Sequence, residues 1–170
     1  MAATTEKRAS ISSERQMQDR VPLREEYEFA VLMAQVVEGL LKVIQNELKP
    51  LGLSPIQLGV MYAVKTSKEP PTGSEIARRL LRRPQSVHQV LSRMENQGLV
   101  RRIRGTEGKR EVPVELTERG EDAFREAGKK HVIPEILARL SSDERKQVKA
   151  ILEKLRTATY EKLAPQPSFP

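Results

Sequence analysis

Between Thr72 and Leu116 the spacing of apolar residues changes once, at Gly98, and that change leaves the chain few folds to choose from. Before it the apolar residues recur at the helical period; after it they alternate with polar ones, as along a half-buried strand. Thr72-Gly73-Ser74-Glu75 sets a hydroxyl N-cap three residues before a carboxylate, which predicts a capping box and a short helix with Ile76, Ala77 and Leu80 on its inner face. Arg82-Arg83-Pro84 ends that helix, and Pro84 suits the first position of a second one running to Gln97, with Gly98 as its stop. Leu99 to Arg104 and Arg110 to Leu116, joined by Gly105-Thr106-Glu107-Gly108-Lys109, then read as a β-hairpin. Val112, Val114 and Leu116 alternate there with Glu111, Pro113 and Glu115, and Pro113, which has no N–H, is expected to turn its nitrogen side to solvent.

The flanking segments are helical. Leu32, Val36, Leu40, Val43, Ile44 and Leu48 line up between Leu23 and Lys49, and Pro50 and Gly52 close that helix. Ser54-Pro55-Ile56-Gln57 is another capping box, opening a helix to about Thr66. Thr117 caps a helix predicted through Phe124 and His131, which Pro134 must kink or interrupt. Ser141-Ser142-Asp143-Glu144 starts the last helix, with Val148, Ile151, Leu152 and Leu155 in line. Residues 1–22 read as a flexible polar arm and 164–170, with three prolines, as a flexible tail. The expected fold class is mainly α with a small β-hairpin.

Several function classes lose their chemistry at once. There is no Cys, so thiolate metal sites, disulfides and thiol redox switches are excluded. The only two histidines, His88 and His131, fall on separate predicted helices, and no Gly-rich phosphate loop or metal-ligand spacing accompanies them; no enzyme, metal or cofactor is expected. No apolar run approaches the roughly 20 residues of a membrane span, and the polar N-terminus has no signal-like apolar stretch, so a cytoplasmic protein is expected. The formal charge of +7 is confined: between Gly73 and Arg110 ten Lys or Arg face three acids, leaving twenty of each elsewhere. An excess held in one segment that also carries a fold motif points to a polyanion footprint.

On the helix after Pro84, Val87, Val90, Leu91 and Met94 gather on one side, while Gln85, Gln89 and Ser92 face the other, with His88 on one flank and Ser86 and Arg93 on the opposite flank. Gln suits an adenine edge, Arg a guanine edge, and Ser either phosphate or base, which is chemistry for a major groove. A short helix, a turn, such a helix and a basic hairpin are the parts of a winged helix-turn-helix. In this reading Arg82, Arg83, Arg102, Arg104, Lys109 and Arg110 hold phosphates or probe the minor groove, and Gln85, Ser86, His88, Gln89 and Arg93 read base edges. The alternative is a winged-helix protein for non-specific DNA, RNA or protein interaction, which would show little preference between duplex sequences.

Ser74-Glu75-Ile76-Ala77-Arg78-Arg79-Leu80, Gln85-Ser86-Val87-His88, Arg93-Met94-Glu95-Asn96-Gln97-Gly98-Leu99-Val100 and Leu116-Thr117-Glu118-Arg119-Gly120 resemble the MarR (multiple antibiotic resistance regulator) family, in matching order from about Leu40 to the final helix. The resemblance implies a transcription regulator, of the repressor type, in which residues 23–163 form one unit. Its winged helix-turn-helix spans about 54–116, and dimerisation helices at about 23–49 and 118–163 build a homodimer on a pseudo-palindromic double-stranded operator. It also implies release by a small aromatic or phenolic effector, for which Tyr27, Tyr62 and His131 are the candidates. The chain departs from the family in the wing, where Gly108 precedes Lys109-Arg110 in place of the usual Asp.

Overall fold

The structure is a computed structural model, and it describes residues 25–103 and 112–163. The chain divides into two units, residues 1–40 and 41–170, with the boundary inside the first helix, α1 (Glu25–Leu48). The described part of the first unit is helical, and Tyr27, Phe29, Leu32 and Val36 on it are exposed.

In the second unit a 3₁₀ turn, Lys49–Leu51, ends at Gly52, whose φ of +66° is the left-handed conformation glycine adopts without penalty. Three helices follow: α2 (Pro55–Lys65), α3 (Gly73–Arg79) and α4 (Pro84–Asn96). The predicted capping boxes form. Ser54 N–H donates to Gln57 Oε1 at 2.9 Å, and Thr72 N–H to Glu75 Oε2 at 2.8 Å. Gly98, with φ +68°, stops α4 and turns the chain into the hairpin.

The hairpin pairs β1 (Val100–Arg102) with β2 (Val114–Leu116), Val100 opposite Leu116 and Arg102 opposite Val114. On its other edge β2 meets the chain before α3: Val114 N–H donates to the Pro71 carbonyl at 2.9 Å, and Thr72 bridges Pro113. This corrects the expectation for Pro113. Ile103 N–H donates to the Pro113 carbonyl at 2.9 Å, and since a strand residue points its N and C=O to the same edge, the proline nitrogen faces β1. It cannot return the bond, so the proline marks where the ladder stops.

After β2 come α5 (Glu118–Gly128), α6 (Val132–Leu137) and α7 (Ser142–Leu163). The helix expected to continue through His131 instead ends at Gly128, ahead of the proline. Pro134 lies in the first turn of α6, where a missing N–H would have no intrahelical partner in any case. The core lies between these elements: Val60 and Met61 of α2, Ile76 of α3, Val87 and Met94 of α4 and Val114 of β2 are fully buried.

Candidate nucleic-acid interface

The turn between α3 and α4 is built by the backbone. Arg82 N–H donates to the Ala77 carbonyl at 2.9 Å and Leu81 N–H to the Arg78 carbonyl at 3.2 Å, the two bonds of a Schellman motif. Its left-handed position is filled by Leu81, with φ +51°, where glycine is usual. Arg83, held extended by the following proline, is the N-cap of α4 and gives it no side-chain cap. The first-turn N–H groups of α4 therefore lie beside two exposed guanidiniums, Arg82 and Arg83, an arrangement suited to phosphate oxygens.

Along α4 the apolar side is buried, as Val87, Val90, Leu91 and Met94 show, and Gln85, Ser86, Gln89, Ser92 and Arg93 are all exposed. The guanidinium of Arg93 donates from Nε to the Gln89 carbonyl one turn back, at 3.3 Å, leaving its terminal amines directed elsewhere. His88 stands apart from this group. It is half-buried, and its ring lies over Gly73, where a Cβ would come within 2.7 Å of the imidazole. A side chain at the first position of α3 would therefore require the imidazole to move, and the contact packs His88 between α3 and α4.

The hairpin's described cations are paired. Arg101 Nε meets Glu115 Oε1 at 2.6 Å across the ladder, and Arg102 Nε meets Glu95 Oε2 of α4 at 3.2 Å. Exposed pairs of this kind are worth about 0–1 kcal/mol, so phosphate can compete for either arginine. Arg104, Lys109 and Arg110 lie outside the described residues. Arg79 has a role the sequence did not announce: it donates to the Ala63 carbonyl at 2.8 Å and to Thr66 Oγ1 at 2.9 Å, closing the C-terminal end of α2. At the end of α3 the Tyr160 hydroxyl of α7 lies 3.1 Å from the carbonyls of both Arg78 and Arg79. Neither contact leaves a local sequence signal, because the partners are more than ten residues apart.

Of the effector candidates, Tyr62 lines an apolar cavity of about 410 Å³ with Leu41, Ile44, Leu58, Leu80 and Phe124. His131 is the exposed N-cap of α6, and Tyr27 is exposed on α1. Among the described residues no cluster of His, Asp or Glu could hold a metal, and no helix is long and apolar enough to cross a membrane.

Residues 51–111 match the MarR family. The chain is 30% identical over 128 residues to the HTH-type transcriptional repressor MdtR of Bacillus subtilis (strain 168), covering 72% of this chain and 82% of the relative. The fold is similar to that of the organohalide-sensing transcriptional regulator RdhR-CbdbA1625 in its 2,4-dichlorophenol-bound form, with TM-score 0.75, 25% identity, and coverage of 89% of this chain and 94% of the other. A mutant of E. coli MarR complexed with operator DNA shares the fold at TM-score 0.68 and 21% identity, over 77% of this chain and 95% of the other.

Proposed function

Since the chain belongs to the MarR family of DNA-binding transcription regulators, which are not enzymes, we propose that it represses transcription as a homodimer that lays one copy of α4 in each major-groove half-site of a pseudo-palindromic operator. The observation that carries this reading is the exposed face of α4, where Gln85, Ser86, Gln89 and Arg93 offer donors and acceptors without interruption by an apolar side chain. Arg82, Arg83 and Arg102, with Arg104, Lys109 and Arg110, position the duplex through its phosphates, and the α4 side chains supply sequence preference. His88 contributes to the fit mainly by spacing α4 from α3 over Gly73.

Dimerisation is supported by the apolar side chains left exposed on the terminal helices, Tyr27, Phe29, Leu32 and Val36 on α1 and Val148, Ile151 and Leu152 on α7. A second copy covering them removes that surface from water. An aromatic or phenolic effector would suit this cavity, whose lining is apolar except for Tyr62, the one lining residue with a polar side chain. A cytoplasmic location, where such a regulator meets the DNA it acts on, is part of this reading.

Selection of operators from random duplexes, followed by footprinting, tests the reading. Two symmetric protected half-sites centred about one helical turn apart are expected. Equal affinity for all duplexes, or preference for RNA, would replace it with a non-specific winged-helix role.

A further inference from the structure

Gln57 is the one polar side chain buried among the described residues. Its surroundings hold α4 in place by apolar packing, with Val87, Val90, Leu91 and Met94 in the same core as Val60 and Met61. Apolar burial is non-directional and tolerates a small rotation of one helix on another. A hydrogen bond is directional. Gln57 makes bonds at both ends of its amide: Oε1 accepts from Ser54 N–H and from the Ser54 hydroxyl, each at 2.9 Å, and Nε2 donates to Gln97 Oε1 at 2.7 Å. Gln97 is the C-cap residue of α4, and its own N–H donates to the Arg93 carbonyl at 3.0 Å. The bridge thus lies one turn from Arg93 and two from Gln89, and both amides line a cleft of about 220 Å³ that includes Arg93. A Glu at position 57 would complete the capping box equally well but has no proton to give Gln97 at neutral pH.

We infer that the Gln57–Gln97 bridge is a positioning device that sets the rotation of α4 on α2, and so decides which base edges Gln89 and Arg93 reach. The inference rests on the proposed base-reading role of α4.

The readout is a ratio, the affinity of the full-length protein for a selected operator divided by its affinity for a scrambled duplex at the same salt, so that changes in net charge cancel. Gln97→Leu should lower the ratio about two- to tenfold, the range spanned by one net hydrogen bond; the unpaired Gln57 amide also lowers the thermal midpoint, so both affinities are read at a temperature where the variant is fully folded. Gln97→Glu still accepts from Gln57, and Gln57→Glu can accept from a turned Gln97 amide, so each alone should keep the ratio within about twofold. The pair Gln57→Glu with Gln97→Glu sets two acceptors face to face and should lose as much as Gln97→Leu. A ratio unaffected by Gln97→Leu, or one lost in Gln97→Glu alone, overturns the bridge. Gln89→Ala separates the two claims: if it lowers the ratio when the bridge variants do not, base reading stands and only the bridge fails; if it too leaves the ratio unchanged, base reading itself has failed and the bridge with it.

Discussion

Gly120 sits where α5 crosses the base of the hairpin, and the structure sets what a single methyl group would do there. A Cβ built on Gly120 would lie 2.0 Å from the Leu99 carbonyl oxygen and 3.4 Å from Leu116 Cβ. The first contact is more than an ångström too close, and its partner is backbone that cannot swing away, because the Leu99 carbonyl also accepts from Thr117 N–H at 3.1 Å. Relief requires α5 to lift off. That stretches the Thr117 bond to Leu99 and the Gly120 N–H bond to Thr117 Oγ1, now 3.1 Å, and loosens Leu99 and Leu116 in the core. Two weakened hydrogen bonds at about 1 kcal/mol each and overpacking of about 1–3 kcal/mol oppose a helix-propensity gain of about 1 kcal/mol for alanine over glycine. Gly120→Ala is therefore expected to destabilise by roughly 2–4 kcal/mol, against the sign that propensity alone gives. Gly128→Ala, in the same helix with nothing within 4 Å of its Cβ, is the control and should be neutral or stabilising by up to about 1 kcal/mol. Urea unfolding at one fixed protein concentration measures both, since the midpoint of an associating protein moves with concentration. If the two variants unfold at the same urea concentration, the close approach of α5 to Leu99 is wrong.

Gln89→Ala and Arg93→Ala should each cost about 1–3 kcal/mol on the selected operator and much less on random duplex; equal losses on both would mean contact with phosphate alone. Leu81 holds a left-handed conformation worth about 1–2 kcal/mol of strain in a non-glycine residue, so Leu81→Gly should raise the unfolding midpoint and the β-branched Leu81→Val lower it, and the reverse order would refute the strain. The Ser141 N–H, and then its hydroxyl, hold the Glu144 carboxyl below the usual glutamate range. A depressed folded-state pKa means that the cap's contribution is complete above the ordinary value and is lost as acid carries the pH down through the depressed one, so the protection of the first α7 amides, taken relative to their intrinsic exchange rates, should fall there, and Glu144→Ala should remove that fall. Sedimentation at low micromolar concentration should return twice the chain mass, and a stable monomer would remove the two-fold operator from the proposal.

What the sequence announced was what four consecutive residues can encode. The capping boxes at Ser54, Thr72 and Ser141 and the glycine stop at Gly98 are local patterns, and each appears as read. The buried and exposed sides of α4 followed from one period applied over 13 residues. Contacts between distant residues were illegible. His88 reads as one more polar residue on α4 until Gly73, fifteen positions earlier, is found beneath its ring. Pro113 reads as an edge residue until Pro71 and Thr72 occupy the other side of β2, a partner too short to show any period of its own. Leu81 is hidden for a different reason: the Schellman bonds are made entirely by backbone, and the residue that glycine would normally flag is a leucine. Gln57 was legible as a cap, but its second bond runs to a residue 40 positions away.

The charge argument changes most when the structure is applied to it. The segment from Gly73 to Arg110 carries a net excess of seven positive charges, yet those charges are not equivalent. Arg79 is committed to the end of α2, where its removal would expose helix carbonyls rather than weaken a DNA contact. Arg101 and Arg102 are balanced by Glu115 and Glu95, so a phosphate gains from them only what it can win from a carboxylate already in place. Arg82 and Arg83 differ, standing exposed at the uncapped start of α4, where the helix dipole and the unbonded N–H groups act in the same direction as their own charge. Of these described arginines, Arg82 and Arg83 are therefore the two that the proposed reading places as phosphate anchors at the start of α4. In the proposed docking, phosphate binding at that point would fix the first turn of α4 against the duplex, leaving the rotation of the helix to be set by directional contacts farther down α4.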